Sequence, residues 1–202
     1  EVAELCVKYH DSGKVVVGFA TTSGEIGFAN FPYYQHSFDY LREHFIPVTI
    51  FAGEKDTSSV NTALVCGYAS RLSGGFKIPE SESLLNEVTS HNVAILVGTE
   101  THLMESKVLN WHKSPQRFLF DFGLHIALCS IHNSFTTKTR AEMIFHLAEA
   151  SGFDTLDILR IIDNTFAAMT EDLKVAHEYQ EEFWKSSMQL MEANGYKRFM
   201  NY

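Results

Sequence analysis

Thr49-Ile50-Phe51-Ala52-Gly53-Glu54, followed shortly by Arg71-Leu72-Ser73-Gly74-Gly75, decides how this chain folds. Each stretch is a short, largely apolar run that stops on glycine, the form taken by a buried parallel strand that ends in a turn. Similar runs lie on either side. Five strands are expected: Lys14 to Ala20, Pro47 to Ala52, a weaker Ala69 to Leu72, Asn92 to Val97 and Leu124 to Cys129. Amphipathic stretches at Tyr33 to His44, Ser58 to Gly67, Glu80 to His91 and Ser114 to Phe122 separate them, so the pattern is parallel strands alternating with crossover helices. After the last strand the character changes to three helices, Lys138 to Ala150, Thr155 to Ala168, and Glu171 to about Ala193. Ser151-Gly152 closes the first of these and Asp154 is placed to cap the second. Leu156, Leu159, Ile162 and Phe166 are the second helix's expected core face. No linker, repeat or charge block divides the chain, so residues 1–202 read as one α/β domain, strands over 1–135 and closing helices over 136–202.

Composition excludes several classes. With 202 residues, 45% of them hydrophobic, the chain can build a sizeable core and is not disordered. Its formal charge of -9, with no basic cluster, argues against direct binding of nucleic acid. No apolar run approaches the roughly 20 residues of a membrane helix. Cys6, Cys66 and Cys129 stand far apart, with neither disulfide-framework nor zinc-ribbon spacing, so an intracellular, reducing compartment is expected. The chain opens on Glu1 without a signal-like segment, and we expect it to begin inside a longer polypeptide.

In parallel α/β folds the reacting groups sit at the carboxyl ends of strands. Read there, the ordered set of segments resembles the adenosine deaminase family, zinc-dependent purine deaminases on an eight-stranded α/β barrel. Val15-Val16-Val17-Gly18-Phe19 looks like that barrel's fourth strand. Thr49 to Glu54 looks like the fifth, where the family reads Thr-Val-His-Ala-Gly-Glu, and Arg71 to Gly75 like the sixth, where it reads Arg-Ile-Gly-His-Gly. Asp121-Phe122-Gly123 through Asn133 looks like the eighth, which ends Asn-Thr-Asp-Asp-Pro in the family. The resemblance implies the C-terminal five strands of a TIM-type (α/β)8 barrel with additional C-terminal helices.

The departures fall on catalytic positions. By the resemblance, Phe51 replaces a zinc-binding His, Gly74 the catalytic His, and Ile131 and His132 the paired Asp residues, while Ser23 stands where a Gly contacts purine. The family acid remains as Glu54. The opening His-x-His zinc motif has no counterpart in these residues. Hydrolytic deamination needs a metal-bound water, and Phe51 and Ile131 have no lone pair to hold a metal. Glu54 reads either as a retained substrate-binding acid, with Ser23 a weak companion, or as a solvated or structurally hydrogen-bonded residue; the second reading is preferred. His132, Glu54, Glu100 and His102 all follow strand ends and are the one set that could rebuild a zinc site. His125 reads as a packed residue inside the last strand.

Two aromatic groups have two readings each. Phe31, Tyr33, Tyr34, Phe38, Tyr40 and Phe45 read as helix-to-sheet packing rather than a stacking purine pocket. Tyr179, Phe183, Trp184, Met188 and Met191 form a stripe on the last helix that is either core or partner surface. The expected function is therefore a catalytically inactive deaminase-like chain without cofactor. It would serve as a structural or protein-interaction subunit, its barrel completed by an upstream segment or by other protein subunits. The alternatives are a zinc-dependent nucleoside deaminase with a rebuilt site and a metal-free nucleoside-binding module.

Overall fold

The computed structural model describes residues 1–13, 16–21, 31–98, 115–129, 151–169 and 173–195. It opens with α1 (Val2–Asp11), β1 (Phe19–Ala20), α2 (Phe31–Glu43), β2 (Val48–Ala52) and α3 (Thr57–Val65). β3 (Arg71–Gly74), a 3-10 turn at Ile78–Glu80, α4 (Glu82–Ser90) and β4 (Ala94–Gly98) follow. α5 (Gln116–Asp121), β5 (Ile126–Cys129), α6 (Thr155–Ala167) and α7 (Leu173–Ala193) complete the described elements.

The five strands are all parallel and lie in the order β1-β2-β3-β4-β5. Sequential order without a switch, combined with right-handed crossovers, puts every crossover helix on one side of the sheet. That is one wall of a barrel rather than a doubly wound sheet. Alternation along β2 shows which side is which: Val48, Ile50 and Ala52 are buried while Thr49 and Phe51 are half-buried. Ile50 points at the helices, because a Cβ added to Gly67 after α3 would meet its Cδ1 and the Phe31 ring of α2. Thr49, Phe51, and the β3 residues paired with them in register, Arg71 and Ser73, therefore share the inner face.

Three helix-to-strand joins use one device. Ile46, Val93 and Leu124 each donate a backbone N–H to the carbonyl five residues back, Leu41, Val88 and Leu119 respectively. The residue before each, Phe45, Asn92 or Gly123, has positive φ. This is a Schellman closure, whose following apolar residue tucks under the helix end; Ile46, Val93 and Leu124 are all buried. It fixes where each strand begins, and so explains why the third strand starts at Arg71 rather than Ala69: Tyr68 is left-handed, and Ala69 still bonds back to Ala63.

Asp56 caps α3, its carboxylate accepting from the Ser59 amide at 2.9 Å and from the Ser58 hydroxyl at 2.6 Å. We expect Asp56→Ala to cost about 1 kcal/mol at neutral pH, read as the midpoint of a urea titration. The Ser58 hydroxyl first, and the Ser59 amide second, hold this carboxyl below its ordinary value. The cap's contribution is thus complete above the unfolded value of about 4 and is lost as pH falls through the lower folded one. The gap between wild type and Asp56→Ala should close in acid, and a gap that persists unchanged there would contradict the assignment.

Several expectations need correction. Of Lys14 to Ala20 only Phe19–Ala20 is strand; Val16 to Gly18 approach it without ladder bonds, and residues 14–15 lie outside the described set. Helix α1 was not expected, although Ala3, Cys6 and Val7, buried against α2, are its signature. The aromatic group before β2 is split: Phe31 and Phe38 stack in the core at 5.5 Å, whereas Tyr33 and Phe45 are 83% and 90% exposed. In α6 the residue buried deepest is Ile161, not Leu156, because Asn164 donates to the Ile126 carbonyl and turns the 158, 161, 165 face onto β5. The opposite face meets α7 through Phe166 and Phe183, 5.4 Å apart, and through Asp163, which accepts from Trp184 and Gln180. So Phe183 and Trp184 are packing residues, while Tyr179 and Met188 are exposed. His125 precedes β5 instead of lying within it. The expected helix Lys138 to Ala150 lies outside the described residues.

Candidate functional site

The carboxyl ends of β2 and β3 are bound into one unit. Register pairs Phe51 with Ser73 and Ala52 with Gly74. Beyond the ladder the Gly75 amide donates to the Ala52 carbonyl at 2.9 Å and the Lys77 amide to the Gly53 carbonyl at 2.7 Å. The Ser59 hydroxyl of α3 accepts from the Gly53 amide at 3.0 Å. Gly53 and Gly75 both have positive φ, and a Cβ on Gly53 would lie 2.9 Å from the Gly75 Cα, so the two turns touch backbone to backbone. Only glycine permits that approach.

Into this corner goes an acid. Glu54 is 8% exposed, which fits the structurally held rather than the solvated half of its expected reading. A Cβ at Gly74 would meet Glu54 Oε1 and the Ala52 carbonyl, each at 2.7 Å, and Gly74 has φ +117. The carboxylate therefore occupies the space into which any side chain at position 74 would grow. Phe51, at the end of β2, is half-buried on the inner face, and its amide donates to the Thr21 hydroxyl after β1 at 3.1 Å. Phe51, Gly74 and Glu54 are thus brought together. Ser23, Glu100, His102, Ile131 and His132 lie outside the described residues.

Among the described residues of this corner, Phe51 and Gly74 supply no ligand atom and Glu54 supplies one carboxylate, whereas a zinc centre takes three or four N, S or O ligands. Among the described residues no three His, Cys, Asp or Glu are grouped as a metal would need.

The inner face also carries a charged residue for which the sequence suggests no role. Arg71 is 6% exposed; its Nε donates to the Thr49 hydroxyl at 2.8 Å, and its Nη2 is buried without a partner. Burial pushes its pKa down from the ordinary guanidinium value. An arginine inside an otherwise apolar strand is the signal that could have found it.

Comparison with known proteins places these features. A model of the adenosine deaminase family matches residues 1–183. A probable adenosine deaminase of Dictyostelium discoideum is 24% identical over 198 residues, which are 97% of this chain and 25% of that protein. The adenosine deaminase of Plasmodium gallinaceum is 29% identical over 132 residues, 63% of this chain and 35% of that one. Among solved structures, an amidohydrolase from Burkhoderia ambifaria with bound zinc superposes with a TM-score of 0.80 at 16% identity, covering 95% of this chain and 54% of that one. The adenine deaminase of Arthrobacter aurescens gives 0.76 at 15% identity, over 91% and 57%. The chain thus spans a quarter to a third of these curated relatives and about half of these solved barrels. The five-stranded parallel wall is a C-terminal barrel portion, and the chain belongs to the adenosine deaminase family.

Proposed function

We propose that this deaminase-family segment carries no hydrolytic deamination of its own and serves as a structural or protein-binding part of a larger assembly. The observation that carries the reading is Phe51 at the end of β2, beside a Gly74 whose side-chain space is filled by Glu54. In the family the chemistry depends on zinc lowering the pKa of a bound water to roughly 7. Glu54 could hold or move a proton, but without an activated water it has nothing to work on. Cofactor-free operation and an intracellular, reducing location belong to the same proposal. The thiols of Cys6 and Cys66, both free, are in keeping with that location.

A second reading draws on Glu54 itself. A buried carboxylate held at two strand ends is how an enzyme keeps a catalytic acid, and such a group marks functional sites. On this reading the whole protein is a nucleoside deaminase whose metal is held by residues elsewhere; a metal-free nucleoside binder keeps the acid and drops the reaction. Ammonia release from adenosine, deoxyadenosine and adenosine monophosphate separates them. We expect no turnover. Turnover abolished by a chelator or by Glu54→Gln would establish the enzyme, and calorimetric binding of adenosine or inosine without turnover would establish the binder.

A further inference from the structure

We propose that Asn194-Gly195, at the end of α7, is a self-modifying site: Asn194 converts to aspartate and isoaspartate at a rate set by opening of the helix end, and the product holds that end open. It is the single Asn-Gly pair in the sequence. The structure places it just past the last helical residue, Ala193, with both members exposed to water. Gly195 has φ +80, and a Cβ built on it would meet nothing within 4 Å. The nitrogen next to the Asn194 side chain thus belongs to a residue with no side chain to crowd an attack. Two hydrogen bonds oppose the reaction. The Asn194 Nδ2 donates to the Leu190 carbonyl at 2.8 Å, and the Gly195 N–H donates to the Glu192 carbonyl at 3.0 Å, as in a helix closed by a left-handed glycine. The first holds the side-chain amide back along the helix, and the second ties down the nitrogen that must attack. Both have to break before the chemistry can start.

With the turn open, the Gly195 nitrogen gives its proton to hydroxide and bonds to Asn194 Cγ. The Cγ–Nδ2 bond breaks, and Nδ2 takes a proton from water and leaves as ammonia, so a cyclic imide remains. Water then opens the ring at either carbonyl. Breaking the new N–Cγ bond gives aspartate, and breaking the original peptide bond gives isoaspartate. Amide and water are consumed, carboxylate and ammonia are formed, and nothing is oxidised or reduced. The product cannot close the turn again. An ionised carboxylate has no proton to donate to the Leu190 carbonyl, and it puts negative charge where the helix macrodipole favours a cation. The last turn already holds Glu192 and no Lys, Arg or His. Isoaspartate also lengthens the backbone by a methylene, which takes the Gly195 N–H out of step with the Glu192 carbonyl. The contacts of Phe183 and Trp184 with α6 lie about three turns earlier, so the change stays at the helix end.

This goes beyond the structural-subunit reading and is separable from it, because the ammonia comes once from each chain, needs no nucleoside and is indifferent to a chelator. The purified full-length protein would be held at mildly alkaline pH, both folded and in urea. The tryptic peptide between Lys185 and Lys197 would be followed by mass spectrometry, with isoaspartate told from aspartate by fragmentation. The folded chain should gain the amide-to-acid mass at Asn194 before any other asparagine. Urea should speed that gain about tenfold, the factor expected of two net hydrogen bonds. Gly195→Ala, compared in urea so that its strained φ plays no part, should slow it several-fold. In the converted, refolded chain the amides of residues 191–195 should exchange at least about threefold faster, the size of a macrodipole penalty. No gain in the folded chain, a gain at another asparagine first, equal rates folded and unfolded, a Gly195→Ala rate equal to wild type, or unchanged exchange after conversion would each overturn the proposal.

Discussion

Gly74→His, the change that would return a family residue to β3, is expected to destabilise the protein by roughly 3 kcal/mol or more and to restore no activity. Two costs add. Gly74 sits at φ +117, a region that L side chains rarely adopt, and the new Cβ would lie 2.7 Å from the Ala52 carbonyl, which is backbone and cannot rotate away. The Glu54 carboxylate, also 2.7 Å away, would have to leave its buried corner. Gly123→Ala is the control: Gly123 has φ +96, but a Cβ there meets nothing within 4 Å. Urea titration should show Gly123→Ala losing only the conformational part, about 1 kcal/mol, and Gly74→Ala losing clearly more. Equal losses would mean that Glu54 and the Ala52 carbonyl do not crowd position 74. In that case a histidine there would be tolerated and the corner could be rebuilt by substitution.

This coupling between Glu54 and Gly74 is also where the sequence stops being informative. Strands β2 and β4 were legible because each is a short, largely apolar run that ends at glycine, and helices α2, α3 and α4 because their buried residues recur at helical spacing. Strand starts were less legible. They are set by left-handed residues such as Tyr68 and Asn92, which carry no glycine to announce the turn. Helix α1 was missed because its apolar residues, Val2, Ala3, Leu5, Cys6 and Val7, lie on two faces and blur the period. At the site, the identities of Phe51, Gly74 and Glu54 could be read, but not that Glu54 is buried. It lies where a side chain at Gly74 would grow, and β2 and β3 are brought together only by the fold. Arg71 illustrates the same limit: its identity is plain in the sequence, yet only the register with Thr49 shows that it points inward with part of its guanidinium unpaired.

Ile95→Ala is the second large effect expected, a loss of about 2 to 5 kcal/mol. Ile95 is fully buried in β4, between β3 and β5, and its Cγ2 lies 3.1 Å from where a Gly75 Cβ would be, next to Ile78 of the 3-10 turn. The side chain thus packs under the turn that carries Gly74 and Gly75 past Glu54. Truncating it leaves a cavity there, which interiors close only in part. Beyond the global loss, the amides of Gly75 and Lys77, which bond to the carbonyls of Ala52 and Gly53, should exchange faster than those at the centre of β3. Leu190→Ala on the exposed side of α7 should change stability by no more than about 0.5 kcal/mol, since that side chain is 65% exposed. If Ile95→Ala lowered stability yet left Gly75 and Lys77 protected, the turn would be held by its backbone bonds alone. The corner around Glu54 would then be rigid independently of the core, and its filled geometry a property of the strand ends rather than of the packing beneath them.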